Sequence, residues 1–267
     1  MSANGREPLP VNTIDVRAAL VGMIDGGVAR HHPSLSDASL VTNNVAGPGD
    51  GPATAHGTAI ASLLVGNDDD FHGCLVGAKL YVADVYGGQA GGGGAVEIAR
   101  ALDWMMANKV AVVNISLAGP NNKLLELAVR RFLSAGGIVV AAVGNAGPAA
   151  PLAFPAGYSG VVGVTSVDAQ HHVQIDANRG DVTFAALGVD VRAAKLDRGY
   201  TTYTGTSFAA PIVAARFAIL VTEPTPLAAQ HALAELKTAA APLDGDRSAT
   251  GFGYLAPPTG ATLRVSE

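Results

Sequence analysis

Apolar residues along this chain come in two kinds of run, and the runs alternate. Short continuous ones, Val21–Asp25, Ala78–Tyr86, Val110–Gly119 and Gly136–Asn145, are rich in Val, Ile and Ala and read as strands buried on both faces. Between them lie stretches with helical spacing. His56–Gly66 reads as a short buried helix, residues 95–108 as a second, and 123–135 as an amphipathic third, with Leu124, Leu127, Ala128 and Phe132 on one stripe. Further β segments are expected near 161–168 and 181–187. A buried helix follows through Pro211–Val221, then a last helix over roughly 226–240 and an irregular Pro/Gly-rich tail. Strand–helix–strand–helix–strand with uninterrupted apolar strands predicts an α/β three-layer sandwich around a mainly parallel sheet.

Composition narrows the function. The chain has 267 residues, only 15% of them charged, and a net charge of −5. It is expected to form a single domain over 1–267, with its motif-bearing core over about 20–222. The charge offers no basic face for nucleic acid. No apolar run approaches the roughly 20 residues that span a membrane. The start lacks a signal-peptide apolar region. One cysteine, Cys74, excludes an internal disulfide and reads as a buried thiol.

In a parallel α/β sheet, chemistry collects at the carboxyl ends of the strands. Asp25, Ser116 and Asn145 fall there, while His56 and Ser207 open helices. A serine becomes nucleophilic when a base takes its proton, and a histidine base is held in the right tautomer by a carboxylate. Asp25, His56 and Ser207 supply that set. Read singly, Ser207 is a helix cap, His56 a satisfied helix-start residue, Asp25 an ordinary strand-end acid and Asn145 a turn residue.

The order of the motifs adds to this. Asp-Gly-Gly at 25–27, His-Gly-Thr at 56–58, Gly-Asn at 144–145 and Gly-Thr-Ser-Phe-Ala-Ala-Pro at 205–211 resemble the subtilisin-like serine proteases, in that family's order, over roughly residues 20–220. The resemblance implies a subtilisin-like fold and an endopeptidase acting through an acyl-enzyme. Ser207 would be the nucleophile, His56 the base and acid, and Asp25 the orienting carboxylate. Asn145 would donate to the oxyanion together with the Ser207 N–H. An extended polypeptide substrate would pair with Ser116, Leu117 and Ala118. The first specificity pocket would be walled by that segment together with Ala142, Val143, Gly144 and Ala153. No cofactor is implied for the chemistry. An inhibitory propeptide outside this chain and export to the periplasm or beyond are implied. Three positions depart from the family pattern: Gly26 where it has Ser or Thr, Ala59 where it has a second histidine, and Ile212 where a histidine is often found.

Other readings compete. A non-catalytic scaffold predicts a damaged triad, and the triad is intact; an esterase or acyl-transferase would keep it. The glycine tract 87–94 after a strand could cradle phosphate, but the next strand, "VAVVNISL", ends without the acid a dinucleotide site needs; the resemblance makes it a rim of the substrate groove. Asp68-Asp69-Asp70 offers calcium's oxygen ligands, yet reads first as a solvated loop and does not match the family's calcium loop. His31-His32 and His171-His172 read as surface pairs, since adjacent side chains on an extended strand diverge.

Overall fold

A computed structural model describes residues 16–89 and 93–263. Seven parallel strands form one sheet in the order β2-β3-β1-β4-β5-β6-β7. These are β1 (Leu20–Asp25), β2 (Ser39–Asn44), β3 (Lys79–Asp84), β4 (Val112–Ile115), β5 (Ile138–Ala142), β6 (Val162–Val167) and β7 (Phe184–Leu187). A small antiparallel pair, β8 (Val191–Ala194) with β9 (Tyr200–Tyr203), stands apart from it. The helices are α1 (Ala55–Val65), α2 (Ala95–Ala107), α3 (Lys123–Ser134), α4 (Thr206–Leu220), α5 (Pro226–Ala239) and a single turn, α6 (Arg247–Thr250).

Side chains of period two divide the core into layers. On β1, Val21 and Met23 join the cluster built with α1 and α4, while Ile24 joins the cluster built with α2 and α3. On β4, Val112 and Val113 split in the same way. Helices on both faces therefore bury the strands twice over, which is why the strands read as continuous apolar runs. Helix α4 is apolar around nearly its whole circumference and runs beneath β4 to β7. Ala59 and Ile212, the two positions where the family carries histidines, are fully buried in its cluster. Among the described residues no helix is long and apolar enough to cross a membrane.

The expected elements form, most strands shorter than expected, but α3 buries Leu125, Val129 and Phe132 while Leu124 and Leu127 of the expected stripe are exposed. The runs expected over 110–119 and 136–145 end at Ile115 and Ala142, where the backbone leaves the sheet to build the site. Four elements escaped the pattern. Strand β2 is an edge, with five of its six residues half-buried and a polar end, Thr42-Asn43-Asn44. The β8–β9 pair is two four-residue strands, and α6 lies within the tail expected to be irregular. His32 corrects the surface-pair expectation. It is buried, with Nδ1 2.9 Å from Ser34 Oγ and Nε2 3.1 Å from the Gly199 carbonyl, while His31 is exposed. His171 and His172 are both exposed. Cys74 is buried as expected, and burial pushes its thiol pKa up to about 12. Of the glycine tract, residues 90–92 lie outside the described residues.

Candidate active site

Strand β1 ends on Asp25, which is almost fully buried, and α1 begins one residue before His56. Thr54 caps that helix, its Oγ1 accepting from the Gly57 N–H at 3.0 Å and donating to the Gly27 carbonyl at 3.3 Å. The cap thereby ties the start of α1 to the chain just beyond Asp25, and His56 Nδ1 lies 2.9 Å from Asp25 Oδ1. The same oxygen accepts the Gly26 N–H at 2.7 Å. Asp25 Oδ2 has no hydrogen-bond partner among the described residues.

The glycine at 26 has a steric cause. A Cβ there would stand 2.4 Å from Thr54 Oγ1 and 2.6 Å from Thr54 Cγ2. The space that a Ser or Thr side chain would need is filled by the helix cap. The hydroxyl absent beside Asp25 is thus the counterpart of the threonine that positions α1.

Burial alone would lower the His56 pKa. The hydrogen bond that His56 donates to Asp25 and the negative charge of that carboxylate act the other way and prevail, so the imidazole ionises above its ordinary value near 6.5. Phe208 tilts against the ring at 5.6 Å between centroids. A base must be neutral to accept a proton. Activity, read as kcat/KM, is therefore expected to be present at high pH and to fall as pH drops through a single ionisation above about 6.5. A pH–rate profile checks this, and a rate that stayed flat down to about pH 4 would remove His56 from a base's role.

Ser207 is the second residue of α4, partly exposed at the helix start. Gly205 precedes the helix with φ 152°, a backbone that residues with a Cβ rarely adopt. Beside it, the amide of Asn145 is oriented from one end. Its Oδ1 accepts the Thr206 N–H at 3.0 Å and a longer bond from Gln174 Nε2 at 3.4 Å, while Nδ2 has no acceptor among the described residues. Thr206 Oγ1 in turn accepts the Gly144 N–H at 3.2 Å. An amide donor therefore stands beside the Ser207 N–H, which has no acceptor among the described residues and lies at the positive end of α4, an arrangement suited to negative charge developing on a carbonyl oxygen.

The Ser207 hydroxyl donates to the Ser116 carbonyl at 3.1 Å, and among the described residues no hydrogen bond joins it to His56. Such pairs often tighten only around bound substrate. Ser116 Oγ donates back to the Ser207 carbonyl at 2.8 Å. That carbonyl is orphaned because Pro211, four residues on, has no N–H to give it. A proline inside the helix is thus tolerated through a side chain from the end of β4.

Beyond Ser116, the N–H groups of Leu117 and Ala118 make no backbone hydrogen bond among the described residues, and Ala118 is exposed. Ala142, Val143 and Gly144 are buried and Ala153 half-buried, and the Ala153 N–H donates to the Val143 carbonyl at 3.0 Å. Asn178, itself buried, fixes the loop between 144 and 153. It accepts the Ala146 N–H and donates to the Pro151 carbonyl, each at 2.7 Å. Thr54, Thr206, Gln174 and Asn178 are the residues that sequence reasoning passed over. Thr54 carried a signal, a favoured cap type two residues before His56; the others act across long separations and carried none. The acidic run at 68–70 is a turn in which Asp68 accepts the Asp70 N–H and the Tyr200 hydroxyl.

A parallel α/β sheet that holds a buried aspartate on a histidine, beside a helix-start serine with donors around it, defines a serine hydrolase. The family model described as the subtilase family matches residues 17–254, and the chain belongs to that family. Its relatives are serine endopeptidases, and that is the catalytic class of this fold and site. Among similar proteins, subtilisin DY of Bacillus licheniformis is 30% identical over 88% of this chain and 88% of its own. The major intracellular serine protease of Bacillus subtilis (strain 168) is 28% identical over 88% of this chain and 80% of its own. The minor extracellular protease Epr of the same strain is 30% identical over 75% of this chain, which spans only 31% of that longer protein. Among solved structures, the patellamide protease PatA's protease domain superposes with a TM-score of 0.80 at 25% identity, over 92% of this chain and 94% of that one. The prenylagaramide maturation protease PagA does so at 0.78 and 25%, over 92% of each chain.

Proposed function

We propose that this chain hydrolyses peptide bonds with Ser207 as nucleophile, His56 as base and then acid, Asp25 as the carboxylate that orients it, and Asn145 as an oxyanion donor. The observation that carries the reading is the Asp25–His56 pair at 2.9 Å, facing the helix that presents Ser207. His56 Nε2 takes the Ser207 proton as Oγ bonds to the scissile carbonyl carbon; the proton then goes to the leaving amine, and water repeats the sequence to free the acid. The substrate lies extended along Leu117 and Ala118, whose unpaired N–H groups offer a strand edge. A fluorophosphonate probe followed by mass mapping tests the assignment: Ser207 should carry the label, and a label on any other serine would overturn it.

Specificity follows from the pocket. Ser116, Leu117, Ala118, Ala142, Val143, Gly144 and Ala153 carry no charge, and burying an unpaired ion costs several kcal/mol, on the order of 2–7 even for a neutral polar group. Neutral, mainly apolar residues are therefore expected directly before the cut. A peptide library cleaved mainly after Arg, Lys, Asp or Glu would contradict this. We place the enzyme outside the cytoplasm, with an inhibitory propeptide as its partner before activation. One relative is named extracellular and another intracellular, so fractionation of the host cell decides the compartment.

A further inference from the structure

Asp84 ends β3 in register with Asp25 of β1 on one side and Asn44 of β2 on the other. Side chains at matched positions of neighbouring parallel strands point to the same face, so Asp84 leaves the sheet on the side of Asp25, from a strand whose backbone lies about 4.8 Å away. It is 5% exposed. Its Oδ1 is occupied by the Tyr86 and Gly87 N–H groups at 2.9 and 3.0 Å. Its Oδ2 is buried with no partner among the described residues. A buried carboxylate left half-satisfied is costly unless something cationic or donating meets it.

Asp84 forms part of the lining of a cavity of about 770 Å³, within the size range of ligand pockets. Gly27 and Ala53, which flank Asp25 and His56 in the chain, line it too. So does Gly51, where a Cβ would lie 1.9 Å from Asp84 Oδ2. The free oxygen thus faces the cavity wall where a side chain is missing. Exposed residues of the lining balance in charge, Asp50 and Asp197 against Arg30 and Arg198, so the buried carboxylate sets the sign of what is preferred. Among the described residues no three His, Cys, Asp or Glu side chains converge as metal ligands, which favours an organic cation.

We propose that this cavity is a second substrate pocket, selecting a lysine or arginine side chain at a position other than the one directly before the cut, with Asp84 as its counter-ion. The proposal rests on the peptidase reading for its occupant, a polypeptide, and its test does not depend on turnover. A peptide library with lysine, or its uncharged isostere norleucine, placed at one position at a time is bound to the Ser207→Ala protein. At one position lysine should bind about tenfold tighter than norleucine, as a hydrogen bond to a buried charge warrants. Asp84→Asn keeps an oxygen for the Tyr86 and Gly87 N–H groups and should erase that difference while norleucine peptides bind as before. Gly51→Ala, which forces the carboxylate aside, should do the same and carries the test should Asp84→Asn fail to fold. Equal binding of lysine and norleucine at every position, or a difference that survives both substitutions, would overturn the pocket. Failure of the peptidase reading would show separately, as loss of fluorophosphonate labelling at Ser207 in the unaltered protein.

Discussion

Replacing Ser207 by alanine is expected to lower turnover by about 10⁶, the scale on which the loss of one member of such a triad removes the covalent route. The loss is chemical and not structural. Ser207 is partly exposed, and among the described residues its hydroxyl makes one hydrogen bond, to the Ser116 carbonyl. Its removal should cost folding no more than about 1 kcal/mol. The Ser116 Oγ bond to the Ser207 carbonyl involves only backbone on the Ser207 side and survives the substitution. His56→Ala added to Ser207→Ala should lower the residual rate little further, because the two act as one unit and their effects do not add. Burst kinetics with an activated ester, with melting temperatures measured alongside, check both statements. A Ser207→Ala protein that kept near-full activity would end the assignment.

Asn145→Ala is expected to lower kcat by about 10² to 10³, or 2.7–4 kcal/mol, with KM little changed. The geometry explains the separation of the two constants. Oδ1 is held by the Thr206 N–H, so Nδ2, with no acceptor among the described residues, is the end left to donate beside the helix start. An amide there gains most when a carbonyl oxygen becomes an oxyanion, after binding is complete. Asn145→Asp should do at least as badly. It keeps the acceptor for Thr206 but sets a second carboxylate oxygen where the donor was. A turn residue would behave in the opposite way, shifting the melting temperature and leaving the kcat of the folded fraction intact. Kinetics normalised to folded protein decide between the two.

The sheet and its flanking helices were legible because both faces of the strands are buried, so each strand announces itself as an apolar run and each interval as a helix. The same logic hid β2, an edge strand with a polar end, and the β8–β9 pair, whose residues serve a small ribbon away from the main sheet. Strand ends were overextended at Ser116 and after Ala142. Apolar content continues there, but the backbone has already turned to form the groove, at Gly144 with φ 106°. At the site, the motif order in the sequence pointed to Asp25, His56, Asn145 and Ser207. What it could not supply is who holds whom. Gly26 looked like a missing hydroxyl in the sequence. The reason for it is the Thr54 side chain, 28 residues away in the chain, which occupies the room. His32 likewise looked like half of a surface pair, since nothing local foretells that the Gly199 carbonyl meets its ring.

The lone cysteine has a practical use. Cys74 precedes β3, its N–H bonded to the Leu63 carbonyl at the end of α1, and its sulfur is closed in with a pKa near 12. Alkylating reagents attack the thiolate, and in the folded protein at neutral pH almost none exists. Once the α1–β3 region opens, the sulfur reverts to an ordinary thiol that reacts readily. With no second sulfhydryl in the chain to confuse the count, the rate of iodoacetamide uptake becomes a clock for opening of that part of the core. It can be read in the Ser207→Ala protein, free of the self-digestion that would otherwise obscure unfolding in a peptidase.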